Sequence, residues 1–433
     1  MLKRTVLILS LSLSFAATIL AGTYSGGTGI DPTPYIISTQ ADWLELIATP
    51  ADFGSSFILA NDLDLSALSD LEPVSDSTQQ FTGIFDGQNH TIAIGSMDYP
   101  STNYIALFGD VLNAQIKNLS VSCTSINGHT CVGILAGRLT GSTVTNCNVS
   151  GTLIGTFSDV GGIAGSAAGS TIAHCTSSAN IDTDDAYRTG SLAGSSSGVI
   201  EYCSATGTVT SLGEAGGLVG SNSSPGIIRY CSATGSVTIS SSYAGGLVGT
   251  NRSQISDSYA RGNVYSGRDG AGGITGWLYD SSSTINNCYA TGTAGVSRYY
   301  AGPLTGKNNG SITNSFWDLQ TSGYAGGLTT EQMQTRSTFT LSGWDFLNDA
   351  NGIQDNWRMC IDGVGYPRLA WQFTPGDIAC FDGVDLLDFS VIAYNWMTDS
   401  SAPDFYDNAD IDNSGYIDSN DLTQMAEYWL ITP

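Results

Sequence analysis

Oxygen-bearing residues near the C-terminus of this chain follow the spacing of a calcium-binding loop. Within residues 410–421 they occupy the first, third, fifth, ninth and twelfth positions, and Gly415 occupies the sixth. Ca²⁺ takes roughly six to eight oxygen ligands, and a loop of this kind wraps them around one point with a sharp turn at its sixth residue. We therefore predict a calcium site here, to which Tyr416 contributes its backbone carbonyl. The predicted ligands are Asp410, Asp412, Ser414, Tyr416, Asp418 and Asp421.

A weaker copy of this loop lies upstream, at residues 377–388. Acidic residues keep its first, ninth and twelfth positions, but Ala379 and Phe381 at the third and fifth positions have no oxygen in their side chains, and the glycine comes one position late. An aspartate beside that glycine compensates if the path of the loop shifts. We predict a second, weaker calcium site, whose ligands are Asp377, Asp382, Asp385 and Asp388.

Each loop leads into a stretch with the apolar spacing of an amphipathic helix, at residues 388–396 and 422–430. Two such loop–helix units within residues 376–433 resemble a dockerin type I module, which is EF-hand-like. The second unit matches this pattern well, and the first departs from it at the third, fifth and sixth positions. The resemblance implies a small all-α module that binds Ca²⁺ and docks onto a cohesin-type scaffold protein of an extracellular, often polysaccharide-degrading, assembly.

The middle of the chain consists of about eight copies of one pattern, about 28 residues apart. Each copy ends in a glycine–apolar–glycine signal, and a second anchor, most often a cysteine, keeps the same phase three residues after an Ile or Val. Two anchors with one period predict a solenoid, in which each repeat buries its apolar face against its neighbours. The glycines that close the copies are Gly109, Gly137, Gly165, Gly194, Gly220, Gly249, Gly276 and Gly306.

One copy, at residues 199–220, indicates how a repeat is built. Small residues from Cys203 to Val209 alternate with hydroxyl-bearing residues, which predicts a strand with the small residues inside and the hydroxyls outside. The segment Gly216–Gly220 predicts a second short strand, and glycines that recur at one phase indicate corners where backbones approach closely. The expected fold is mainly β: a parallel β-solenoid, or β-helix, of about eight repeats with capping regions.

The corner sequence also resembles a known motif. Gly216–Gly220 and Gly245–Gly249 both read Gly-Gly-Leu-Val-Gly, which is the core signature of the GLUG motif. The likeness extends over residues 35–323. It implies a β-solenoid with a surface or adhesive role, and it implies no reaction.

The sequence divides into five segments. Residues 1–21, with Lys3 and Arg4 before an apolar run, predict a secretory signal peptide, so the mature chain is expected to be secreted or held at the cell surface without membrane insertion. Residues 22–103 are expected to cap the solenoid of residues 104–323, and residues 376–433 form the dockerin-like module. The aromatic-rich residues 324–373 have two interpretations: a lid on the last turn, or platforms for sugar rings.

Charge and composition exclude some functions. The formal net charge is −25 and Lys3-Arg4 is the one cationic cluster, which disfavours a nucleic-acid partner. The three histidines are scattered and no His-Glu-x-x-His zinc motif is present, so no catalytic residue is predicted. The acidic cluster Asp182, Asp184 and Asp185 is interpreted as a solvated loop, with Arg188 beside it as a faint candidate for a lyase base.

The nine cysteines suggest two kinds of environment. Four fall at one phase of the repeat and predict a buried thiol stack, because side chains that run side by side do not converge as a disulfide requires. They are Cys147, Cys175, Cys203 and Cys231. The pairs Cys123–Cys131 and Cys360–Cys380 are better candidates for disulfides.

Three functions remain open from the sequence. The leading one is a secreted, non-catalytic surface, adhesion or glycan-binding repeat protein, whose solenoid contacts a polysaccharide or cell-surface glycan and whose C-terminal module attaches it to an extracellular assembly. The second is a carbohydrate-active β-helix enzyme, a polysaccharide hydrolase or lyase, with catalytic acids in grooves beside the glycine corners. The third is a structural spacer stabilised by its calcium loops.

Overall fold

A computed structural model describes residues 22–69, 71–347, 355–374, 376–379, 383–399, 409–412 and 414–429. The predicted signal peptide lies outside the described residues. Within them the fold is mainly β, a parallel β-solenoid of about nine turns. None of the helices in this part of the chain has the length and the apolar composition needed to cross a lipid bilayer.

Most strands of the described chain belong to one sheet of 26 strands that wraps around the coil. Its first column comprises Tyr35–Ile37, Ser56–Leu59, Ile84–Asp98, Gln115–Val132, Thr143–Gly161, Thr171–Ala173, Val199–Glu201, Ile227–Arg229, Gln254–Ala260, Thr284–Ala290 and Ser311–Thr313. The second comprises Leu63–Leu65, Thr176–Ser177, Ser204–Ala205, Ser232–Ala233 and Phe316–Trp317. The third comprises Asn180–Asp182, Val209–Ser211, Val237–Ile239, Val264–Ser266 and Ala294–Val296. The fourth comprises Tyr187–Gly190, Ala215–Gly216, Tyr243–Gly245, Gly270–Gly272 and Tyr300–Gly302.

A second sheet closes the coil. Its eight strands are Phe108–Leu112, Ala136–Thr140, Ala164–Ala168, Ala193–Ser196, Val219–Asn222, Val248–Asn251, Thr275–Leu278 and Thr305–Asn308. A small antiparallel pair joins Trp357–Arg358 to Arg368–Leu369. The α-helices of the described residues are Gln40–Ala48, Leu319–Ser322, Thr330–Met333, Arg336–Thr340, Leu386–Tyr394 and Ser419–Tyr428, with 3₁₀ turns at Pro50–Asp52 and Ala370–Gln372.

The predicted repeat is the turn of the coil. On successive turns Val144 pairs with Ile172, Ile172 with Ile200, and Ile200 with Ile228. All four side chains are fully buried. Each turn therefore places the same residue of the pattern directly above its counterpart. The in–out alternation predicted after Cys203 is confirmed by burial, although the chain there forms two short strands, Ser204–Ala205 and Val209–Ser211.

The glycine corners exist because two backbones meet there. A Cβ on Gly216 would overlap the carbonyl oxygens of Val219 and Leu247, the first on its own turn and the second on the next. No side chain fits between backbones at that separation, which explains why glycine returns at each corner.

The coil begins upstream of the predicted boundary at residue 104. Tyr35 pairs with Phe57, Phe57 with Phe85, and Phe85 with Ile116, all in parallel register. The segment expected to be a cap thus adds turns of its own, which is why the count of about eight repeats was too low. The Gln40–Ala48 helix is inserted between the first two of these strands and buries Trp43 in the core.

Residues 324–347 and 355–373 cover one side of the coil as well as its end. The Trp371 indole Nε1 donates to the carbonyl of Tyr230 (2.9 Å), while the Trp344 indole donates to the carbonyl of Asn314 (2.8 Å), three turns further along. Trp344 and Trp357 are fully buried in this interface. Because their faces are covered, these two rings cannot serve as sugar platforms.

The predicted thiol stack is confirmed. Cys147, Cys175, Cys203 and Cys231 are buried, free thiols on successive turns. Burial raises the pKa of the Cys147, Cys175 and Cys203 thiols well above the usual value, so they act as core side chains.

The predicted Cys123–Cys131 disulfide is wrong, since both thiols are free. The two residues lie eight positions apart in the Gln115–Val132 strand, and at about 3.3 Å per residue an extended chain carries them well beyond disulfide range. Cys360 is disulfide-bonded, and its predicted partner Cys380 lies outside the described residues.

Candidate functional site

The second predicted calcium loop is built around the start of a helix. Asp418 is the N-cap of the Ser419–Tyr428 helix and accepts a hydrogen bond from the Asn420 N–H, while Asp421 accepts one from the Asp418 N–H in return. The ninth and twelfth positions of the loop are thus held by capping. Gly415 at the sixth position has φ +83°, the left-handed turn that the spacing predicts.

Three carboxylates meet at the centre of this loop. Oxygens of Asp410, Asp412 and Asp421 all lie within 4.8 Å of one another. Asp410 accepts hydrogen bonds from the N–H groups of Ser414 (3.0 Å) and Gly415 (2.8 Å), and Asp421 accepts them from Ile411 (2.6 Å) and Asp412 (3.1 Å). Carboxylates this close repel each other unless a cation or a proton lies between them. The donor set, hard and anionic, fits Ca²⁺.

The pKa values of the Asp410 and Asp412 carboxyl groups shift in opposite directions. Burial raises the pKa of Asp410 above its ordinary value, and the negative charge of Asp421 adds to this effect. The Ser414 hydroxyl lowers the pKa of Asp412, which lies nearer to solvent. Two further predicted ligands, Ser414 and Tyr416, contact each other: the Ser414 hydroxyl donates a hydrogen bond to the Tyr416 carbonyl oxygen (3.1 Å).

The first loop repeats this backbone design. Asp388 accepts hydrogen bonds from the N–H groups of Ile378, Ala379 and Asp385 (2.6, 2.6 and 2.8 Å), the same three loop positions that donate to Asp421. Asp385 caps the Leu386–Tyr394 helix. Among the described residues, however, Asp377, Asp385 and Asp388 do not form a carboxylate cluster like that of the second loop. The remaining predicted ligand, Asp382, lies outside the described residues.

The two units share a small core and differ at their surfaces. The core consists of Ile378, Ile392, Ala409, Ile417 and Met425. The first helix and the turn after it leave large apolar side chains in solvent, with Leu386, Met397 and Tyr394 exposed by 74, 73 and 85%. We call this the apolar face; its residues are Leu386, Leu387, Phe389, Tyr394, Trp396 and Met397. The second helix exposes mainly polar residues.

The solenoid carries a different candidate site, which we call the corner groove. It runs beside the glycine corners of the central turns and is lined by Phe157, Tyr187, Arg188, Glu214, Ser221 and Arg252. A guanidinium nitrogen of Arg188 lies 2.6 Å from an Asp159 carboxylate oxygen. A guanidinium nitrogen of Arg252 lies 3.9 Å from a Glu214 carboxylate oxygen. Asp184 and Asp185, which lie near Arg188 in the sequence, are exposed as predicted for a solvated loop, and Arg188 points toward the preceding turn instead.

A signal for this groove is present in the register of the repeats. Asp159, Arg188 and Glu214 each stand one residue before members of a paired column, Val160, Thr189 and Ala215. They are therefore stacked on consecutive turns. Asp159 is buried beneath Arg188, and burial raises its pKa. A carboxylate so enclosed is poorly placed to exchange a proton with a bound ligand.

The family model described as "The GLUG motif" matches residues 185–210, 211–238 and 240–265. The chain carries GLUG repeats. Over 137 residues it is 32% identical to Halomucin of Haloquadratum walsbyi, a match that covers 29% of this chain and 2% of that protein.

Two further proteins resemble parts of this chain. The chain is 32% identical over 125 residues to a "Putative Gly-rich membrane protein" of Evansella cellulosilytica, covering 28% of this chain and 14% of that one. It thus spans a small part of the length of either relative. A crystal structure of a "putative immunoglobulin A1 protease" from Bacteroides ovatus superposes with a TM-score of 0.47 at 21% identity, covering 81% of this chain and 96% of that chain.

Proposed function

We propose that this protein is an extracellular or cell-surface repeat protein, in which the GLUG solenoid is a binding surface and the C-terminal dockerin-like module is a calcium-dependent attachment. The observation that carries the proposal is the carboxylate cluster of Asp410, Asp412 and Asp421 in the same C-terminal module as the apolar face. The carboxylate cluster would supply a site for a cation, and the apolar face would supply a surface for a protein partner.

Calcium would be held by the second loop. Its ligands would be the three clustered carboxylates with Ser414, the Tyr416 carbonyl and Asp418, and its charge would offset their mutual repulsion. Because Asp418 and Asp421 also cap the Ser419–Tyr428 helix, an ion in the loop would hold that helix in place. A second, weaker site at Asp377, Asp382, Asp385 and Asp388 belongs to the same proposal.

Attachment would use the apolar face. Exposed apolar patches of this kind commonly mark protein–protein contacts, since leaving them in water is unfavourable. The face belongs to the first unit and the carboxylate cluster to the second, and the units are joined by a shared core. Ca²⁺ would therefore control the partner's affinity by ordering the second unit, against which the first helix packs. A cohesin-type scaffold protein is the partner that the dockerin resemblance implies.

Location at the surface is supported by the relatives and by the N-terminal sequence. One relative is named as a halomucin and the other as a membrane protein, names that fit surface association. Residues 1–21 have the composition of a secretory signal.

The test is a pull-down from native secretome with the mature chain, residues 22–433, as bait, in calcium and in chelator. The proposal predicts a partner that is recovered in calcium and lost in chelator. Asp412→Asn should need a higher calcium concentration than wild type to recover the partner, whereas Asp182→Asn, which changes an exposed acid on the solenoid, should behave as wild type. A partner retained equally in chelator would contradict calcium control, and an empty calcium lane would leave the module as a structural clasp.

A further inference from the structure

We propose that the corner groove binds a neutral polysaccharide, with pyranose rings against Phe157 and Tyr187 and hydroxyl groups against Arg188, Glu214 and Arg252. This inference rests on the proposed role of the solenoid as a binding surface, and it names the site and the class of ligand.

The shape of the groove suits a sugar chain. Its volume is about 570 Å³, within the range of roughly 300–1,000 Å³ that is usual for small-ligand sites. Its walls come from consecutive turns, since Ser158, next to Phe157, pairs with Tyr187 on the following turn. Turns in a parallel coil lie about 4.8 Å apart, so a linear ligand along the groove crosses several turns.

Two aromatic rings form the floor for stacking. Phe157 and Tyr187 are 54 and 48% exposed, on a chain that buries most of its large apolar residues. His129 stacks against Phe157 at 5.2 Å and 11°, which covers one face of that ring and keeps it in place. Tyr187 lies over Gly213, where a Cβ would come within 2.5 Å of the tyrosine ring. Rings held in this way offer an apolar surface with the polar groups beside it, as sugars require.

The two arginines are held by the protein before any ligand arrives. Arg188 donates to the Ser158 hydroxyl (3.1 Å) and to Asp159 (2.6 Å). Arg252 donates to the Ser221 hydroxyl (3.2 Å), and its guanidinium carbon lies 4.2 Å from the centre of the Tyr279 ring. A guanidinium has five N–H donors, more than these contacts use, so both arginines retain donors for ligand hydroxyls.

Charge selects a neutral ligand. Each arginine has an acidic neighbour, Asp159 for Arg188 and Glu214 for Arg252, so these two pairs leave no excess positive charge to attract a carboxylate or sulfate. The whole chain carries a formal net charge of −25, which repels polyanions. The Glu214 carboxylate can accept hydrogen bonds and the two arginines can donate them. Sugar hydroxyl groups both donate and accept, so they can pair with either kind of side chain.

Binding of the mature chain to neutral and acidic polysaccharides tests the inference. The probes are β-glucan, xylan and galactomannan against alginate and polygalacturonate, in affinity gels and by calorimetry at constant salt and calcium. Wild type should bind at least one neutral chain and neither acidic one. Tyr187→Ala should weaken that binding about tenfold, as expected for the loss of one stacking contact. Tyr265→Ala, an equally exposed tyrosine outside the lining of the groove, should bind as wild type.

Other outcomes separate the site from the broader proposal. Neutral binding that survives the double change Phe157→Ala and Tyr187→Ala, in a variant with wild-type circular dichroism, would overturn the groove but keep a glycan-binding solenoid. Binding to the acidic chains alone would overturn the choice of ligand. If no polysaccharide binds the wild-type chain, both the groove and the glycan-binding role of the solenoid are wrong. Calcium-dependent attachment is tested separately by the pull-down.

Discussion

The two loop–helix units at the C-terminus have the same backbone design but carry different side chains. In each, an aspartate at the twelfth loop position accepts three backbone N–H groups, and an aspartate at the ninth caps the helix. The second unit brings three carboxylates together. The first unit has Ala379 at the position of Asp412, and the first unit carries the apolar face. The twelfth position therefore maintains the fold of each unit, whereas the third position and the helix surface are free to differ between the units.

The largest effect is expected from removing the shared aspartates. Asp421→Ala and Asp388→Ala each delete three hydrogen bonds to a carboxylate, and bonds to charged groups contribute about 1.5–3 kcal/mol each. We expect each change to lower the local unfolding free energy of its unit by about 3 kcal/mol or more. Hydrogen exchange of residues 383–399 and 414–429, measured in the intact mature chain, reports on the two units separately.

Calcium binding then distinguishes the Asp421→Ala variant from the Asp388→Ala variant. Asp421→Ala should abolish binding at the second loop, and Asp388→Ala should leave it measurable by calorimetry. Equal loss in both variants would show that the units do not act separately and would weaken the comparison.

The next effect concerns one ligand of the cluster. Asp412 lies nearer to solvent than Asp410 and Asp421, so Asp412→Asn should hardly change stability in chelator. It removes a charged ligand and should weaken calcium binding about tenfold or more, equivalent to about 1.4 kcal/mol. Calorimetric titration of the mature chain measures this, with Asp182→Asn as the matched control. An unchanged affinity would place the ion elsewhere.

The apolar face gives an effect on partner binding alone. Tyr394→Ser and Met397→Ser change side chains that are mostly in solvent, and surface substitutions usually alter stability by about 0.5 kcal/mol or less. Together they should remove most of the recovered partner in the calcium pull-down while the melting temperature stays the same. Gln424→Ala on the polar second helix is the control. If the control loses the partner and the double variant keeps it, the roles assigned to the two helices are reversed.

The smallest effect is a gain. Ala379→Asp supplies a carboxylate at the third position of the first loop, matching Asp412 of the second. It should strengthen the weaker calcium site by a few fold, seen as a second binding phase in calorimetry. Asp377→Asn in the same background should remove that phase. The absence of any change would show that the fifth position, not the third, limits the first loop.

Much of this architecture was predictable, because its signals are local or periodic. The clustering of Asp410, Asp412 and Asp421 follows from spacing within one loop, and the thiol stack follows from cysteines at one phase of the repeat. The Cys123–Cys131 pairing failed because closeness in sequence does not bring together two residues of one extended strand. The start of the coil was also misjudged, since its first turns vary in length and hide the period.

Periodicity was sufficient to specify a coil, because every turn must bury the same positions against its neighbours. Loop spacing was sufficient to specify where carboxylate oxygens converge. Contacts across turns needed the folded molecule. Arg188 finds Asp159 rather than the acids near it in sequence, and Trp344 is buried against the side of the coil rather than displayed. Both depend on distances between segments that the coil brings together, and those distances are set by register and corner geometry rather than by any local pattern.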